Sequence, residues 1–92
     1  MARLEVKYDG MLYVKGQTFY LKEKLKQMGF KWDPLLKSWY IKPEENKVDE
    51  YIKKLSEIAE VKIIYDVRKY QRFYDFLKSL NLGNLQYKAL KE

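Results

Sequence analysis

The sequence predicts a small α+β domain in which a mainly antiparallel sheet has its helices packed on one side. Residues 1–42 contain two pairs of short strand-like segments, and turn residues separate the members of each pair. Residues 43–81 carry apolar side chains at helical spacing, with one short β-branched segment between two helical patterns. The predicted order is therefore ββα-ββ-α-β-α, ending in an apolar C-terminal helix, in one domain of 92 residues.

The first hairpin is predicted from a strict alternation of side chains. Residues 3–8 alternate between charged and apolar side chains, which is typical of a half-buried strand. Asp9-Gly10 is a strong signal for a tight turn, so residues 11–15 are expected to return as the second strand. Leu12 and Val14 then face the core.

The first helix and the second hairpin follow. Apolar side chains at positions i, i+4 and i+7 predict a helix over residues 19–28. Gly29 is suited to the left-handed residue that closes a helix. Asp33-Pro34 starts a turn between strands over residues 30–32 and 38–42. Asp33 is accordingly interpreted as a turn-forming residue and not as a catalytic acid.

The second half of the chain predicts two longer helices. Pro43 and the acids after it suit the first turn of a helix that runs to about residue 59. Residues 61–65 are short and β-branched, which predicts one more strand. A third helix is expected over residues 66–81, and residues 84–92 are interpreted as a short final helix or a frayed tail.

The third helix carries more apolar surface than one small sheet needs, and we interpret the excess as a contact in a homo-oligomer, a dimer or a tetramer. The alternative is a deeply buried core helix. The chain then divides into an α/β core over residues 1–65 and a C-terminal helical oligomerisation segment over residues 66–92, within one compact domain. The predicted oligomer interface consists of Tyr70, Phe73, Tyr74, Phe76, Leu77 and Leu80.

Composition argues against catalysis and against several other classes. The chain has no cysteine and no histidine, so it lacks the usual nucleophile, general base and metal ligands. It also lacks a Gly-rich phosphate loop, and no enzyme, cofactor or metal site is expected. No apolar run reaches the roughly 18 residues of a membrane span, and the N-terminus has no signal-peptide core, so a cytoplasmic location is expected. High Lys and Glu content is typical of thermophilic proteins.

Positive charge and aromatic side chains are concentrated in the same half of the chain. Residues 1–42 hold nine Lys and Arg against four Asp and Glu, so this half has a net charge of +5 out of the total of +6. The same residues include eight of the fifteen aromatic side chains. Single-stranded nucleic-acid binders use this combination, because bases stack on aromatic rings while cations follow the phosphates. The alternative is that the lysines only keep the protein soluble.

The alternation of the strands predicts which side chains form a binding surface. If the apolar positions face the helices, then Arg3, Lys7 and the predicted ligand residues of the strands share the other face. Residues on the first helix and the second hairpin border that face, while Trp39 is expected in the core and Trp32 is undecided. Few Arg, Asn or Gln side chains are available, so low sequence specificity is expected. The predicted nucleic-acid-binding residues are Tyr13, Lys15, Tyr20, Lys22, Lys31, Trp32, Lys37, Tyr40 and Lys42.

Residues 19–26, together with Gly29-Phe30-Lys31-Trp32-Asp33-Pro34 and Lys37-Ser38-Trp39-Tyr40, resemble a known unit. The unit is the G-x-x-W-D-P-x-x-K-x-W-Y helix-plus-hairpin of DNA-processing proteins, which is related to the HARP domain of annealing helicases. With the C-terminal helix included, the whole chain resembles the archaeal ThermoDBP-related single-stranded-DNA-binding family. The resemblance implies a non-OB α/β domain whose cleft of hydrophobic and basic side chains binds single strands, and C-terminal helices that assemble the subunits. At matching positions it implies Tyr20, Lys22, Lys31, Trp32, Lys37 and Tyr40 as cleft residues.

The sequence therefore favours a single-stranded-DNA-binding protein of low sequence specificity, and the preference for DNA comes from the resemblance alone. Two alternatives remain open. One is an RNA-binding protein, and the other is a protein-interaction or assembly module whose aromatic residues are all core.

Overall fold

Six strands form one mixed sheet, and three helices pack against it. The computed structural model describes residues 2–80 and 84–90. The α+β class predicted from the sequence is confirmed. No helix in this described part is long and apolar enough to cross a bilayer. The strands are β1 (Arg3–Tyr8), β2 (Leu12–Gly16), β3 (Lys31–Asp33), β4 (Ser38–Ile41), β5 (Glu60–Asp66) and β6 (Leu85–Leu90). The helices are α1 (Lys22–Gln27), α2 (Val48–Ile58) and α3 (Val67–Ser79), with single turns of 3-10 helix before α1 and α2.

The strands lie in the order β3-β4-β2-β1-β5-β6. Three of the five neighbouring pairs are antiparallel, namely β1 with β2, β2 with β4 and β3 with β4, as the tight turns predict. The pairs β1 with β5 and β5 with β6 are parallel. A parallel pair needs a crossover connection, and α3 supplies the one between β5 and β6.

The prediction of a final helix or frayed tail after residue 84 is wrong. Residues 85–90 form β6, which pairs in parallel with β5 from Val61 opposite Leu85 to Asp66 opposite Leu90. The physical reason is a short alternation in which Leu85 and Tyr87 pack against the core while their neighbours face solvent. The described residues of this segment thus form α3 and a strand of the main sheet, while residues 81–83, 91 and 92 lie outside the described part.

One apolar cluster joins the three helices to one face of the sheet. Each fully buried aliphatic side chain in such a cluster contributes about 1.5–3 kcal/mol relative to an exposed one. Because all three helices place their buried residues in this cluster, the opposite face, called the open face below, carries no helix in the described part of the chain. The cluster includes Leu4, Val6, Tyr8, Leu12, Val14, Leu21, Leu25, Trp39, Val48, Ile52, Leu55, Val61, Ile63, Tyr65, Tyr74 and Leu77.

The apolar stripe of α3 is mostly core and only partly surface. Tyr74 and Leu77 are fully buried, so the structure places them inside the monomer and not at an oligomer interface. Phe73 is half-buried and packs its ring 5.4 Å from that of Tyr8. Phe76 and Leu80, which are 51% and 39% exposed, are the members of the predicted interface that remain available to a partner. The side chain of Tyr70 lies outside the described residues.

Two local signals read from the sequence have the expected backbone geometry. Gly29 has φ +98°, and the N–H of Phe30 donates to the carbonyl of Leu25 at 3.0 Å, which closes α1 in a Schellman-type cap. Asp33 Oδ1 accepts from the N–H groups of Leu35 and Leu36 at 2.9 and 3.2 Å. Its interpretation as a turn-forming residue is therefore confirmed.

Gly16→Ala is expected to be markedly more destabilising than Gly10→Ala. Both glycines have positive φ, but a Cβ at Gly16 would lie 2.7 Å from the backbone oxygen of Arg3, whereas a Cβ at Gly10 would meet nothing within 4 Å. The difference in the free energy of unfolding should be about 1–3 kcal/mol, the usual cost of overpacking. Urea unfolding of both variants measures it, and equal losses would show that the β1–β2 pair relaxes to accept the methyl group.

Candidate nucleic-acid interface

Two tyrosines stand side by side on the open face, with a lysine on each side of them. Tyr13 of β2 lies directly opposite Tyr40 of β4, and both are half-buried. Lys7 of β1 is opposite Tyr13, and Lys31 of β3 is opposite Tyr40. Directly opposite residues have Cβ atoms about 4.5–5.5 Å apart, so the four side chains form one continuous line.

The same line continues across the rest of the sheet. Lys7 is in register with Ile64 of β5, and Ile64 is in register with Lys88 of β6. With six strands about 4.8 Å apart, the line is about 24 Å long. Three lysines and no acidic residue belong to it. We call it the aromatic–lysine row; it consists of Lys31, Tyr40, Tyr13, Lys7, Ile64 and Lys88.

The neighbouring row of the open face is electrostatically different. Lys15, Glu5, Lys62 and Gln86 follow one another in register. Lys15 Nζ lies 3.7 Å from Glu5 Oε2, so the charge of this predicted ligand residue is partly balanced within the protein. Among the described residues, no such ion pair engages Lys7 or Lys31. The lysines of the aromatic–lysine row are therefore better placed than Lys15 to attract a phosphate.

The open face is concave beside the tyrosines. A depression of about 460 Å³ has its floor on β1, β2 and β5, with Lys7, Tyr13 and Ile64 among its lining residues. Leu36, from the turn between β3 and β4, forms one wall of it. Glu5, Asp9 and Lys15 also line the depression, and Lys15 is paired with Glu5. Lys7 is therefore the lining lysine that can attract a phosphate, next to the Tyr13 ring and the apolar Ile64.

Two further predicted lysines, Lys37 and Lys42, flank the two ends of β4. Lys37 lies at the end of the β3–β4 turn, where it has φ +49°, and its side chain is exposed. Lys42 is exposed and follows the last residue of β4, two positions beyond Tyr40. Because side chains two apart in a strand share a face, Lys42 stands at the rim of the open face.

Three of the predicted ligand residues lie on the other side of the sheet. Trp32 is opposite Trp39 in register, and because Trp39 is in the core, Trp32 projects to the helix side. Lys22 and Tyr20 belong to the segment at α1, which also packs on that side. The expectation that Tyr20, Lys22 and Trp32 border the open face is therefore wrong. They are separated from the tyrosine pair by the edge strand β3.

The helix side of edge strand β3 has a depression of its own. It measures about 540 Å³, and we call it the edge pocket. Trp32, which is 46% exposed, forms part of its wall together with the largely exposed Phe19. Lys22 Nζ lies 4.2 Å from the centroid of the Phe19 ring. The residues that line the edge pocket are Gly16, Thr18, Phe19, Lys22, Lys26, Trp32 and Trp39.

Lys78 of α3 makes contacts within the protein and belongs neither to the open face nor to the edge pocket. Lys78 Nζ donates a hydrogen bond of 2.8 Å to Tyr65 Oη, and this bond raises the pKa of the Lys78 amino group. The same Nζ lies 5.5 Å from the ring centroid of Tyr87, whose own pKa is raised by burial. These contacts hold α3 over β5 and β6 on the helix side.

Ile64 and Lys88 of the aromatic–lysine row are not among the binding residues predicted from the sequence, and Lys7 is predicted only as a residue of the same sheet face. Lys88 is absent from the prediction because residues 84–92 are predicted as a helix or tail and not as a strand. The alternation over residues 85–88 is the signal that predicts it. Ile64 was assigned only to a strand, without a face.

No family model, no curated protein and no solved structure matches this chain. The resemblance to the ThermoDBP-related family therefore stays a prediction from the residues.

Proposed function

We propose that the protein binds single-stranded nucleic acid across its open face. The single observation that supports this most strongly is the Tyr13–Tyr40 pair with Lys7 and Lys31 on its two sides. Two neighbouring rings on a solvent-facing sheet add little to the core, whereas unstacked bases can lie against them. The lysines at either end then attract the phosphates between those bases.

The proposal gives a reason for selectivity towards single strands and for low sequence specificity. Stacking on an aromatic ring contributes about 1–3 kcal/mol per base and depends little on which base it is. In a duplex the base faces are already stacked on one another, so the tyrosines have nothing to bind. The row contains no Asn, Gln or Arg, which are the side chains that most often read base edges.

DNA is proposed as the preferred ligand on the strength of the sequence resemblance. The residues of the row contact rings and phosphates, which DNA and RNA share. Binding to RNA with equal affinity is therefore the alternative form of the same proposal.

We also propose a homo-oligomer, a dimer or a tetramer, in which the exposed Phe76 and Leu80 of α3 carry the contact.

Fluorescence anisotropy of a labelled mixed-sequence strand of about 20 nucleotides, longer than one site is expected to be, tests the proposal. The same measurement is made with the matching duplex and with RNA, at low and moderate salt. Salt-sensitive binding to the single strand, with much weaker binding to the duplex, is the expected result. No binding at low salt would reject the function and favour the assembly-module alternative.

Lys7→Ala and Lys31→Ala are each expected to weaken binding and to reduce its salt dependence. Each lysine that contacts a phosphate of a single strand contributes about 0.7 to the slope of log K against log salt. Lys53→Ala and Lys54→Ala on the exposed face of α2 are matched controls with the same loss of charge. Anisotropy titrations over a salt series separate the two sets. Equal slopes for all four variants would mean that only net charge matters and that the row is not the binding surface.

A further inference from the structure

Trp39, which lines the edge pocket, carries a buried hydrogen-bond donor without a partner among the described residues. Trp39 is only 4% exposed, and its indole Nε1 has no hydrogen-bond acceptor among the described residues. Buried polar groups in proteins are nearly always paired, so an orphaned donor in the lining of a pocket points to an acceptor supplied from outside. Trp39 is one of the lining residues of the edge pocket.

Flat rings line the same pocket. The centroids of the Trp32 and Trp39 rings are 5.5 Å apart, with 57° between the ring planes, and the Trp32 side chain is about half exposed. Phe19 stands on the same pocket with most of its ring exposed. The exposed rings of Trp32 and Phe19 favour a planar ring as ligand, and the Trp39 donor requires that ring to carry an acceptor atom.

The charge around the pocket favours a ligand that is also an anion. Lys22 and Lys26, one helical turn apart on α1, both line the pocket. Lys26 is 3.6 Å from Glu23 in an exposed pair, so Lys22 is the less compensated of the two. A planar ring with acceptor atoms, joined to a negative group, is the chemistry of a nucleotide.

We propose that the edge pocket binds one base of the single strand that the open face binds, with Trp39 Nε1–H donating a hydrogen bond to that base. This inference rests on the proposed function. The strand reaches the pocket by turning around β3, which is the edge of the sheet and is only three residues long. Lys31 on the open face and Trp32 on the pocket side are consecutive residues there, so the path between the surfaces is short.

The proposal changes the expected specificity of the protein. The tyrosine pair accepts any base, but a fixed N–H donor selects bases that present an acceptor at the right position. One position of the bound strand, where it passes β3, should therefore show a base preference, while the positions on the open face should not.

The two tryptophans make the pocket directly observable. They are the only tryptophans of the chain, and both line the edge pocket, while the aromatic–lysine row contains none. Titration of the wild-type protein with the strand of about 20 nucleotides is expected to quench tryptophan fluorescence. It should also shift the indole N–H resonance of Trp39 in a ¹H–¹⁵N spectrum. Trp32→Phe assigns the two indole resonances, because it removes one of them.

Variants give the matching affinity test. Trp32→Ala is expected to weaken strand binding about tenfold or more, in line with the loss of one stacked base. Trp39→Phe keeps a buried ring but removes the donor and should weaken binding about tenfold, with the base preference lost. Leu35→Ala, at an exposed residue that lines neither depression described above, is the control and should bind like the wild type. Thermal unfolding confirms that each variant is folded.

The outcomes for the two surfaces can be told apart. If anisotropy shows binding that depends on Tyr13 and Tyr40, but the Trp39 resonance does not move and Trp32→Ala binds normally, the pocket inference is overturned and the open-face function stands. If no strand binds at all, both are overturned. Quenching together with a shifted Trp39 resonance and weaker binding of Trp32→Ala supports the inference.

Discussion

Replacing both Tyr13 and Tyr40 with alanine is expected to weaken single-strand binding about 100-fold or more. Each ring contributes about 1–3 kcal/mol when a base stacks on it, and the two rings are adjacent, so one variant removes the centre of the row. Both side chains project from the sheet face that carries no helix in the described part of the chain. The fold should therefore survive the change, with a loss of stability of about 1 kcal/mol or less per site. Anisotropy measures the first effect and urea unfolding the second.

The matched control is Tyr13→Phe/Tyr40→Phe, which keeps both rings and removes both hydroxyl groups. It should bind within about threefold of the wild type if stacking carries the interaction, since stacking needs only the ring. A large loss of affinity in this control would show that hydrogen bonds of the phenol groups, and not stacking, carry the interaction. A double alanine variant that is folded and binds like the wild type would exclude the open face as the site.

The tyrosine pair could be predicted from the sequence because strand periodicity is a local property. Once Leu12 and Val14 are assigned to the core, Tyr13 must face the other way, and the same argument puts Tyr40 on the sheet face that its neighbour Trp39 does not share. The turn signals at Asp9-Gly10 and Asp33-Pro34 then join neighbouring strands, which fixes the antiparallel half of the sheet. What the periodicity does not contain is the alignment of β2 with β4, which puts the two tyrosines in register.

The position of α1 relative to the tyrosines and the pairing of β6 with β5 could not be predicted, for a different physical reason. Both depend on connections in which the chain leaves the sheet and returns to it. The sequence of such a connection contains no local signal for the position in the sheet to which the chain returns. The sequence therefore predicts Lys22 and Trp32 beside the tyrosines, although the pairing of Trp32 with Trp39 puts Trp32 on the helix side, where Lys22 lines the same pocket. Likewise, the short alternation over residues 85–88 indicates a strand, but it does not indicate the parallel pairing with β5 that completes the strand.

Leu77→Glu is expected to remove most of the stability of the fold. Leu77 is fully buried in the cluster between α3 and the sheet, so the variant loses its apolar contacts and buries a carboxyl group. The combined cost should be at least about 4 kcal/mol, because a buried unpaired charge adds to the lost packing. A domain of this size has only about 5–14 kcal/mol in total. Urea unfolding and circular dichroism measure the loss.

The pH dependence of the free energy of unfolding tests whether the buried charge causes the loss of stability in Leu77→Glu. Burial raises the pKa of the introduced carboxyl in the folded state above its value of about 4.3 in the unfolded chain. The penalty is therefore present at pH 7, where the unfolded chain carries the charge freely, and disappears as the pH falls below the unfolded value. The stability deficit relative to the wild type should shrink on acidification. Leu77→Gln, which cannot ionise, should keep a constant deficit.

Phe76→Glu, one residue earlier, separates packing within the monomer from contact between copies. Because Phe76 is half-exposed, its replacement should change the free energy of unfolding of a monomer by only about 1 kcal/mol. If α3 carries the contact between copies, the same change places charges on both sides of the interface and should shift the mass in light scattering to that of a monomer. An unchanged mass would place any oligomer contact elsewhere on the surface. The two neighbouring positions thus give opposite results for physical reasons: Leu77 faces the sheet of its own chain, and Phe76 faces away from it.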